Sequence, residues 1–372
     1  MNDVSTSERT FDSGRDESTA PPLSEREQNV LRLIVKNFID TAGPVGSRSL
    51  VRKYGLDLSP ASIRNTMSDL EDMGYLDHPY TSAGRMPTEL GYRTFVDELM
   101  GTPELSATER RMLKIRLAQL VRDTDEMLRE SSRLLSQLTD LLGVTLSPRL
   151  STGVLERLDV VPLTGERLMF VLSVRGGMVK TIVVEFESDL KRSALDRVVS
   201  ILNERLAGLT LQEIRETHEE RVQDIDDPTG IVRLVLEKSP RLFSEPTEGR
   251  LRHGGTQNIL RQPEFQEPDD VRHLMEVIED ETLVVQVLEG MLDPQAQDVG
   301  QAFISIGSES RSEEVDQYSI VVSPYRLGGS VGTLGVIGPT RMNYGRVVAL
   351  VQNMATMLNR PGEAEAASSS TS

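Results

Sequence analysis

The chain has 372 residues, of which 38% are hydrophobic, and it contains no cysteine. This length favours two or three domains over a single core, and the missing cysteine excludes disulfides, thiol catalysis and cysteine-based zinc sites. The formal net charge of −17 argues by itself against a nucleic-acid partner, but residues 44–93 balance six basic against six acidic side chains, so the acidity lies mostly elsewhere.

Both ends of the chain are polar. Residues 1–22 are acidic and contain no apolar segment, so they are predicted to be a disordered leader and not a signal peptide. Residues 361–372 are predicted to be a disordered tail. No apolar run approaches the ~20 residues of a membrane span, so we expect a cytoplasmic protein without a membrane partner.

Three short helices are predicted within residues 23–78, in the order of a helix-turn-helix. The first begins at Ser24, where S-x-x-E is a capping pattern, and the second covers VGSRSLVRKYG. The third, in LSPASIRNTMSDLEDMGYL, has Ser59 as its N-cap and Pro60 at its first position. Gly74 marks its end.

The stretch PYTSAGRMP, residues 79–87, is predicted to be the tight turn of a hairpin. We expect one strand before it and a second that begins at Met86, after which Thr88 caps a further helix. Three helices followed by a hairpin are the outline of a winged helix-turn-helix, which we assign to residues 23–100.

Residues 104–142 are predicted to contain a long amphipathic helix. Its stripe alternates spacings of four and three, which is typical of helix–helix packing. The stripe positions are Leu113, Leu117, Leu120, Thr124, Met127, Ser131, Leu134, Leu138 and Leu141. Two of them are polar, so the pattern fits a helix between subunits and a helix on its own domain about equally.

From Pro148 onward, short runs rich in valine and isoleucine predict strands. These runs are LMFVLSV, VKTIVVEF, TLVVQVL, AFISI, YSIVVSPY and GTLGVIG. Helices are predicted around 189–206 and 342–359. The mostly helical and charged stretch 187–260 separates the second strand from the third, and it is predicted to be an insertion in an α+β domain.

The sequence contains no catalytic or metal-binding motif. The histidines at 78, 218, 253 and 273 lack ligand spacing to one another, and neither a nucleophile elbow nor a Walker loop occurs. The stretch GGSVGTLGVIGPTR lacks the P-loop lysine, and strand turns account for its glycines. We therefore predict that the chain is not an enzyme and uses no cofactor and no metal.

The third helix carries the candidate DNA contacts. The face opposite its apolar positions is small, polar or cationic toward the N-terminus and acidic toward the C-terminus. If the helix entered a major groove N-terminus first, its dipole would favour phosphate, and Arg64 could pair with guanine and Asn65 with adenine. An ordinary solvated helix face has the same composition, so this pair alone is a weak signal.

The predicted turn supplies a second contact. Thr81 and Ser82 offer hydroxyls and N–H groups, and Arg85 carries the one charge at the tip that could reach a phosphate or a narrow minor groove. A plain turn that includes an arginine explains the pattern equally well. The full predicted DNA-binding set is Ser47, Arg48, Ser59, Ala61, Ser62, Arg64, Asn65, Ser68, Thr81, Ser82 and Arg85.

Three long runs resemble the HrcA family of heat-inducible repressors of bacterial chaperone operons: SPASIRNTMSDLEDMGYL, PYTSAGRMPTELGYRTFVDEL and GTLGVIGPTRMNYGRVVALV. The likeness extends from about Leu23 to Leu358, although Tyr80 stands where that family usually has histidine. The resemblance implies a GAF-like domain at 104–186 and 261–360, with an inserted dimerisation domain at 187–260.

The same resemblance implies the partners. It implies a homodimer that binds the CIRCE inverted repeat in double-stranded DNA and represses heat-shock chaperone operons. It further implies inactivation on heat stress and reactivation with help from the chaperonin GroEL.

Two other functions stay open at this level. A GAF-like module that binds a small molecule would make the chain a ligand-gated regulator. A winged helix that binds protein would make it a scaffold, which the near-neutral charge of residues 23–100 permits.

Overall fold

A computed structural model describes most of the chain between residues 22 and 359. The described ranges are 22–79, 84–102, 104–118, 124–163, 166–186, 191–244, 249–292, 299–310, 312–327 and 330–359. The predicted tail, the predicted leader up to residue 21, and Tyr80, Thr81 and Ser82 lie outside these residues. Helices and sheets both occur, which confirms the α+β class.

The N-terminal body, residues 22–102, contains four helices and one hairpin. They are α1 (Glu25–Thr41), α2 (Ser47–Tyr54), α3 (Pro60–Asp72), β1 (Leu76–Asp77), β2 (Met86–Pro87) and α4 (Glu89–Thr94), which continues as a π-helical turn over Phe95–Leu99. The three predicted caps are confirmed, because the side chains of Ser24, Ser59 and Thr88 each accept a backbone N–H of the first turn.

The predicted long helix at 104–142 is wrong at its C-terminal end. The structure has α5 (Ala107–Ala118) and α6 (Thr124–Thr139), and Asp140 takes a left-handed φ of 57°, so Leu142 already lies in the next strand. Most of the described stripe residues pack inside this chain. Thr124 and Leu138 are half-buried, Leu120 lies outside the described residues, and the buried ones are Leu113, Leu117, Met127, Ser131, Leu134 and Leu141. The stripe therefore belongs to a helix pair that lies on its own domain.

A five-stranded antiparallel sheet forms the centre of the C-terminal part, with helices on both faces. Its order is β7–β3–β10–β9–β8, where β3 is Leu142–Leu146, β7 Leu251–Gly254, β8 Phe303–Ile306, β9 Tyr318–Leu327 and β10 Ser330–Pro339. One face packs on α6 and α13 (Tyr344–Leu358). The other packs on α11 (Pro268–Glu279) and α12 (Glu281–Gly290), beside the short α10 (Thr256–Ile259).

A second sheet has its own core. It consists of β4 (Leu155–Leu163), β5 (Arg167–Val174) and β6 (Met178–Glu185) in the order β4–β5–β6. Apolar side chains of these strands pack against α7 (Arg192–Leu206), α8 (Leu211–Val222) and α9 (Ile231–Leu242).

The predicted insertion boundaries at 187 and 260 therefore need correction at both ends. The three strands of the second sheet share a core with the helices that follow them, so the inserted unit begins near Leu155 and not at 187. It ends near Phe243, because β7 returns to the large sheet and pairs with β3.

The run TLVVQVL, predicted as a strand, forms α12 instead. The side chain of Asp280 accepts the N–H of Leu283 and caps the helix, and Val284 and Leu288, four residues apart, face the core. Burial on one helical face therefore outweighs the strand preference of three valines. The other five predicted strands are present, whereas β3, β4 and β7 were not predicted.

Three glycines of GGSVGTLGVIGPTR have a different role from the one predicted, whereas Gly328 and Gly329 lie outside the described residues. Gly332, Gly335 and Gly338 lie inside β10 and not at strand turns. A Cβ at Gly335 would lie 2.2 Å from the carbonyl oxygen of Val321 in the adjacent strand. Close approach of neighbouring groups, and not a turn, explains why this strand is rich in glycine.

Candidate nucleic-acid interface

One face of α3 is exposed over most of its length. Ala61, Arg64, Asn65 and Ser68 are all exposed, in agreement with the predicted face. The opposite face is buried against the rest of the N-terminal body through Ile63, Thr66, Met67 and Leu70. Contact of the exposed face with DNA stays a prediction.

The beginning of α3 is fixed by two polar contacts. The Oγ of Ser59 accepts the N–H of Ser62 at 3.1 Å. From α1, a guanidinium nitrogen of Arg26 donates to both the carbonyl oxygen and the Oγ of Ser62, each at 2.7 Å. Arg26 is exposed and places a positive charge beside the helix N-terminus.

Sequence reasoning missed Arg26. It lies 36 positions before Ser62, and no spacing rule links the start of one helix to the start of another two helices later. The one signal in the sequence was indirect: a helix that binds DNA is expected to have basic side chains around its N-terminus, so a search for them could have led to Arg26.

The two candidates on α2 differ. Arg48 is exposed, and its role as a DNA contact stays a prediction. Ser47, at the first position of α2, is only 6% exposed, and its contact with DNA also stays a prediction.

The hairpin is anchored against the segment between α1 and α2. Val45 and Arg85 form an antiparallel bridge in which each N–H donates to the other's carbonyl at 2.9 Å. Gly84 makes this approach possible, since a Cβ there would lie 2.6 Å from the carbonyl carbon and oxygen of Val45. Gly84 therefore allows the backbone of the hairpin to pack closely against the backbone of Val45.

Arg85 does not stand at the tip of the hairpin. It lies at the base, where its guanidinium pairs with a carboxylate oxygen of Glu71 at 2.6 Å and its side chain is only 23% exposed. The other oxygen of Glu71 contacts Nδ1 of His78. The phosphate contact of Arg85 stays a prediction, and to make it the guanidinium would have to leave or share the carboxylate of Glu71.

This cluster ties the hairpin to α3. Glu71, Asp77 and His78 bring one possible metal-ligand atom each to within 4.8 Å of one another. The guanidinium of Arg85 on Glu71 opposes a cation at that position. We therefore assign the cluster to holding the hairpin in place.

Comparison with known proteins identifies the family. Residues 125–348 match the family described as the HrcA protein C-terminal domain. The chain is 40% identical over 343 residues to the heat-inducible transcription repressor HrcA of Chlorobium phaeobacteroides strain BS1, across 91% of this chain and 97% of that protein. It is 41% identical to the protein of the same name from Prosthecochloris aestuarii, with the same coverage.

A solved structure supports the fold. It is described as that of a hypothetical protein, is 21% identical, covers 91% of this chain and 98% of its own, and aligns with a TM-score of 0.57. No helix among the described residues is long and apolar enough to cross a membrane. The relatives are named as transcription repressors and not as enzymes, in agreement with the predicted absence of catalysis. The chain belongs to the HrcA family.

Proposed function

We propose that the chain is a transcription repressor that binds the CIRCE inverted repeat as a homodimer and silences heat-shock chaperone operons. In this proposal the N-terminal body is a winged helix-turn-helix, and the large sheet with its helices is a GAF-like domain. The observation that carries the proposal is the exposed N-terminal half of α3, with Arg64 and Asn65 on its surface and Arg26 beside its first turn.

The charges along α3 determine how it would enter a major groove. The N-terminal end combines the positive end of the helix dipole with the guanidinium of Arg26, and both favour phosphate. Asp69 and Asp72, both exposed, lie toward the other end. The helix would therefore enter with its N-terminus first, which presents Arg64 to a guanine edge and Asn65 to an adenine edge.

The outer face of the second sheet supports homodimerisation through the inserted unit. Val161, Met169 and Val183 lie side by side across its three strands. Val161 and Val183 are each 40% exposed, and Val179 on the same face is 60% exposed. A row of apolar side chains on one sheet face is typical of an interface, and a palindromic operator requires a two-fold symmetric protein.

Control by heat is part of the proposal. The relatives are named as heat-inducible repressors. We propose that heat inactivates this chain as well, and that GroEL helps it to return to the DNA-binding form.

Gel shifts over a salt series test DNA binding. An inverted repeat should bind more tightly than a scrambled duplex of the same length, and its affinity should fall with salt because phosphates are contacted. Arg64→Ala should lower the preference for the repeat by about 1–3 kcal/mol if the side chain pairs with a base. Arg233→Ala, which removes an 84% exposed arginine from α9, is the matched control and should leave it unchanged. Equal binding of both duplexes at every salt concentration would contradict the proposal.

Sedimentation tests the dimer. Val183→Asp should give monomers, because it places a charge in the proposed interface. Val331→Asp is the control, since Val331 is also a strand valine and is also 40% exposed. If both variants stay dimeric, the interface lies elsewhere.

A further inference from the structure

We propose that docking of the N-terminal body on the edge of the large sheet is the thermal switch of this repressor, with the docked form binding the operator and the undocked form releasing it. This inference rests on the proposed function. It adds where heat acts: on a contact inside the chain, at α4 and the end of α1.

The first docking contact covers the open edge of the large sheet. β8 is the edge strand. Arg93 of α4 donates to the carbonyl of Ile304 at 2.9 Å and, through Nε, to Glu309 at 2.8 Å. Glu309 accepts the N–H of Ile306 at 2.9 Å. The ion pair thus satisfies edge groups that another strand would otherwise bind.

The second contact lies beside it. The carboxylate of Glu89 accepts the N–H of Ser308 at 3.1 Å and its hydroxyl at 2.5 Å. Gly307 has a φ of 56°, and a Cβ there would lie 1.8 Å from an oxygen of Glu89. The loop after β8 therefore has the shape that this carboxylate requires.

The third contact reaches α1. Arg341, just after β10, donates to the carbonyl of Ile39 at 2.7 Å. Its guanidinium is also held by Glu264 at 2.7 Å, and the side chain is only 11% exposed. A charge this buried depends on its partners, so separation of the two bodies would disturb it.

One feature opposes docking. Tyr92 of α4 is buried, with its ring centroid 5.9 Å from that of Tyr344 in α13. Its hydroxyl has no hydrogen-bond partner among the described residues. A buried hydroxyl without a partner is unfavourable and regains hydration when the surfaces separate. The docked form is thus held by polar pairs and by an apolar cluster that the two bodies share, against a built-in penalty.

The contact is also confined. Within the N-terminal body, α4 lies against β8, the edge strand of the large sheet. A contact made by α4, the end of α1, a few polar pairs and part of one apolar cluster opens at a lower free-energy cost than that whole cluster unfolds. Heat would therefore separate the bodies before it unfolds them.

Undocking would release DNA without damage to the reading helix. An inverted repeat needs two such helices at a fixed separation. Docking fixes each N-terminal body relative to the rest of its subunit. Once undocked, each body is only tethered, and the advantage of binding two half-sites at once falls.

Cross-linking tests the switch, because the chain has no cysteine of its own. Glu89→Cys with Ser308→Cys provides a pair that dibromobimane can bridge across the docking surface. The bridged dimer should keep the inverted repeat at temperatures where the wild type releases it. Each single cysteine variant, treated with monobromobimane, is the control and should release at or below the wild-type temperature. Release of the bridged protein at the wild-type temperature would overturn the proposal.

Two point variants should shift release in opposite directions. Tyr92→Phe removes the penalty and should favour the docked form by about 5- to 150-fold, which raises the release temperature. Arg93→Ala should lower it, while far-UV circular dichroism and binding to a single half-site stay unchanged at that temperature. Equal release temperatures for both variants and the wild type would refute the switch.

The outcomes separate this inference from the proposed function. If the wild type binds no inverted repeat even in the cold, the proposed function is wrong. If it binds in the cold and neither the bridge nor the variants change its release, the switch is wrong and the repressor function stands.

Discussion

Replacement of Gly84 by alanine tests whether the hairpin must lie against the segment between α1 and α2. The new Cβ would lie 2.6 Å from the carbonyl carbon and oxygen of Val45 and 2.7 Å from the carbonyl carbon of Pro44. These are backbone atoms, which cannot rotate away as a side chain can, so the contact must be either overpacked or separated. Gly84 does not have a left-handed φ, so the destabilising effect is steric and not a matter of backbone strain.

The expected loss of stability follows from the two ways in which the structure can accommodate the new methyl group. If the methyl group is forced into the contact, overpacking costs about 1–3 kcal/mol. If the hairpin moves away instead, the two backbone hydrogen bonds between Val45 and Arg85 are lost, at about 0.5–1.5 kcal/mol each. Both routes therefore lead to about 1–3 kcal/mol. The loss of affinity for the inverted repeat can reach about 5- to 150-fold if the hairpin must be in place for DNA binding.

Gly43→Ala is the matched control. Gly43 lies in the same segment, and its Cβ would meet nothing closer than 3.8 Å. Denaturant unfolding and operator titrations should be carried out on both variants. Gly84→Ala should lose stability and affinity, whereas Gly43→Ala should lose neither. If the two variants are indistinguishable in both measurements, the hairpin base is not held as described.

Three further changes have defined outcomes. Arg26→Ala removes two hydrogen bonds to Ser62 and should lower stability by ~1 kcal/mol, with binding in gel shifts weakened alike on repeat and random DNA. Burial raises the pKa of Glu309, but its bonds to an arginine and a backbone N–H outweigh this and hold the pKa below its ordinary 4.5. The stability that these bonds contribute is present above about pH 4.5 and lost as the pH falls through the folded pKa, so Glu309→Gln should melt below the wild type at pH 7 and converge with it in acid. Gly335→Ala places a methyl 2.2 Å from the Val321 carbonyl oxygen and should lower the free energy of unfolding by at least about 1–3 kcal/mol in urea titrations.

Features that depend on neighbours in the sequence were predictable. Ser24, Ser59 and Thr88 each bond to an N–H three residues later, so the cap and its partner are read from one short window. The exposed face of α3 is equally local, because a period of 3.6 residues fixes which side chains share a side.

Features that depend on distant partners were not. The predicted insertion boundaries differ from the structure because the composition of a strand does not show which of two sheets it joins. The strands within 155–185 belong to the second sheet and its core, whereas strand 251–254 belongs to the large sheet. The strand prediction for TLVVQVL was wrong because its composition favours a strand, whereas the packing around Val284 and Leu288 favours a helix.

The same division applies to the candidate site. Arg64 is where the helical period places it, but Arg85 is paired with Glu71, 14 residues earlier, and Arg26 reaches a serine two helices away. Periodicity predicts which side a residue faces. It does not predict which acidic side chain will pair with a given arginine, since that depends on how the hairpin folds back.

The pairing of Arg85 also bears on how an acidic chain could bind DNA. Three acids follow one another closely near the end of α3: Asp69, Glu71 and Asp72. The ion pair largely neutralises Glu71, so its field falls off faster than that of a free carboxylate. Asp69, the nearest exposed acid, is eight residues from Ala61 at the N-terminal end, or ~12 Å along the helix axis, which exceeds the ~8 Å Debye length at physiological salt. Phosphates bound at the N-terminal end are therefore largely screened from the acidic end.

Dilution of the salt removes this screening, so repulsion between the acidic end and the phosphates should partly offset the usual gain in affinity. The slope of log affinity against log salt concentration should therefore flatten at low ionic strength. A slope that stays constant down to ~0.01 M salt, where the Debye length reaches ~30 Å, would mean that the acidic end lies far from the DNA and that α3 does not enter the groove as proposed.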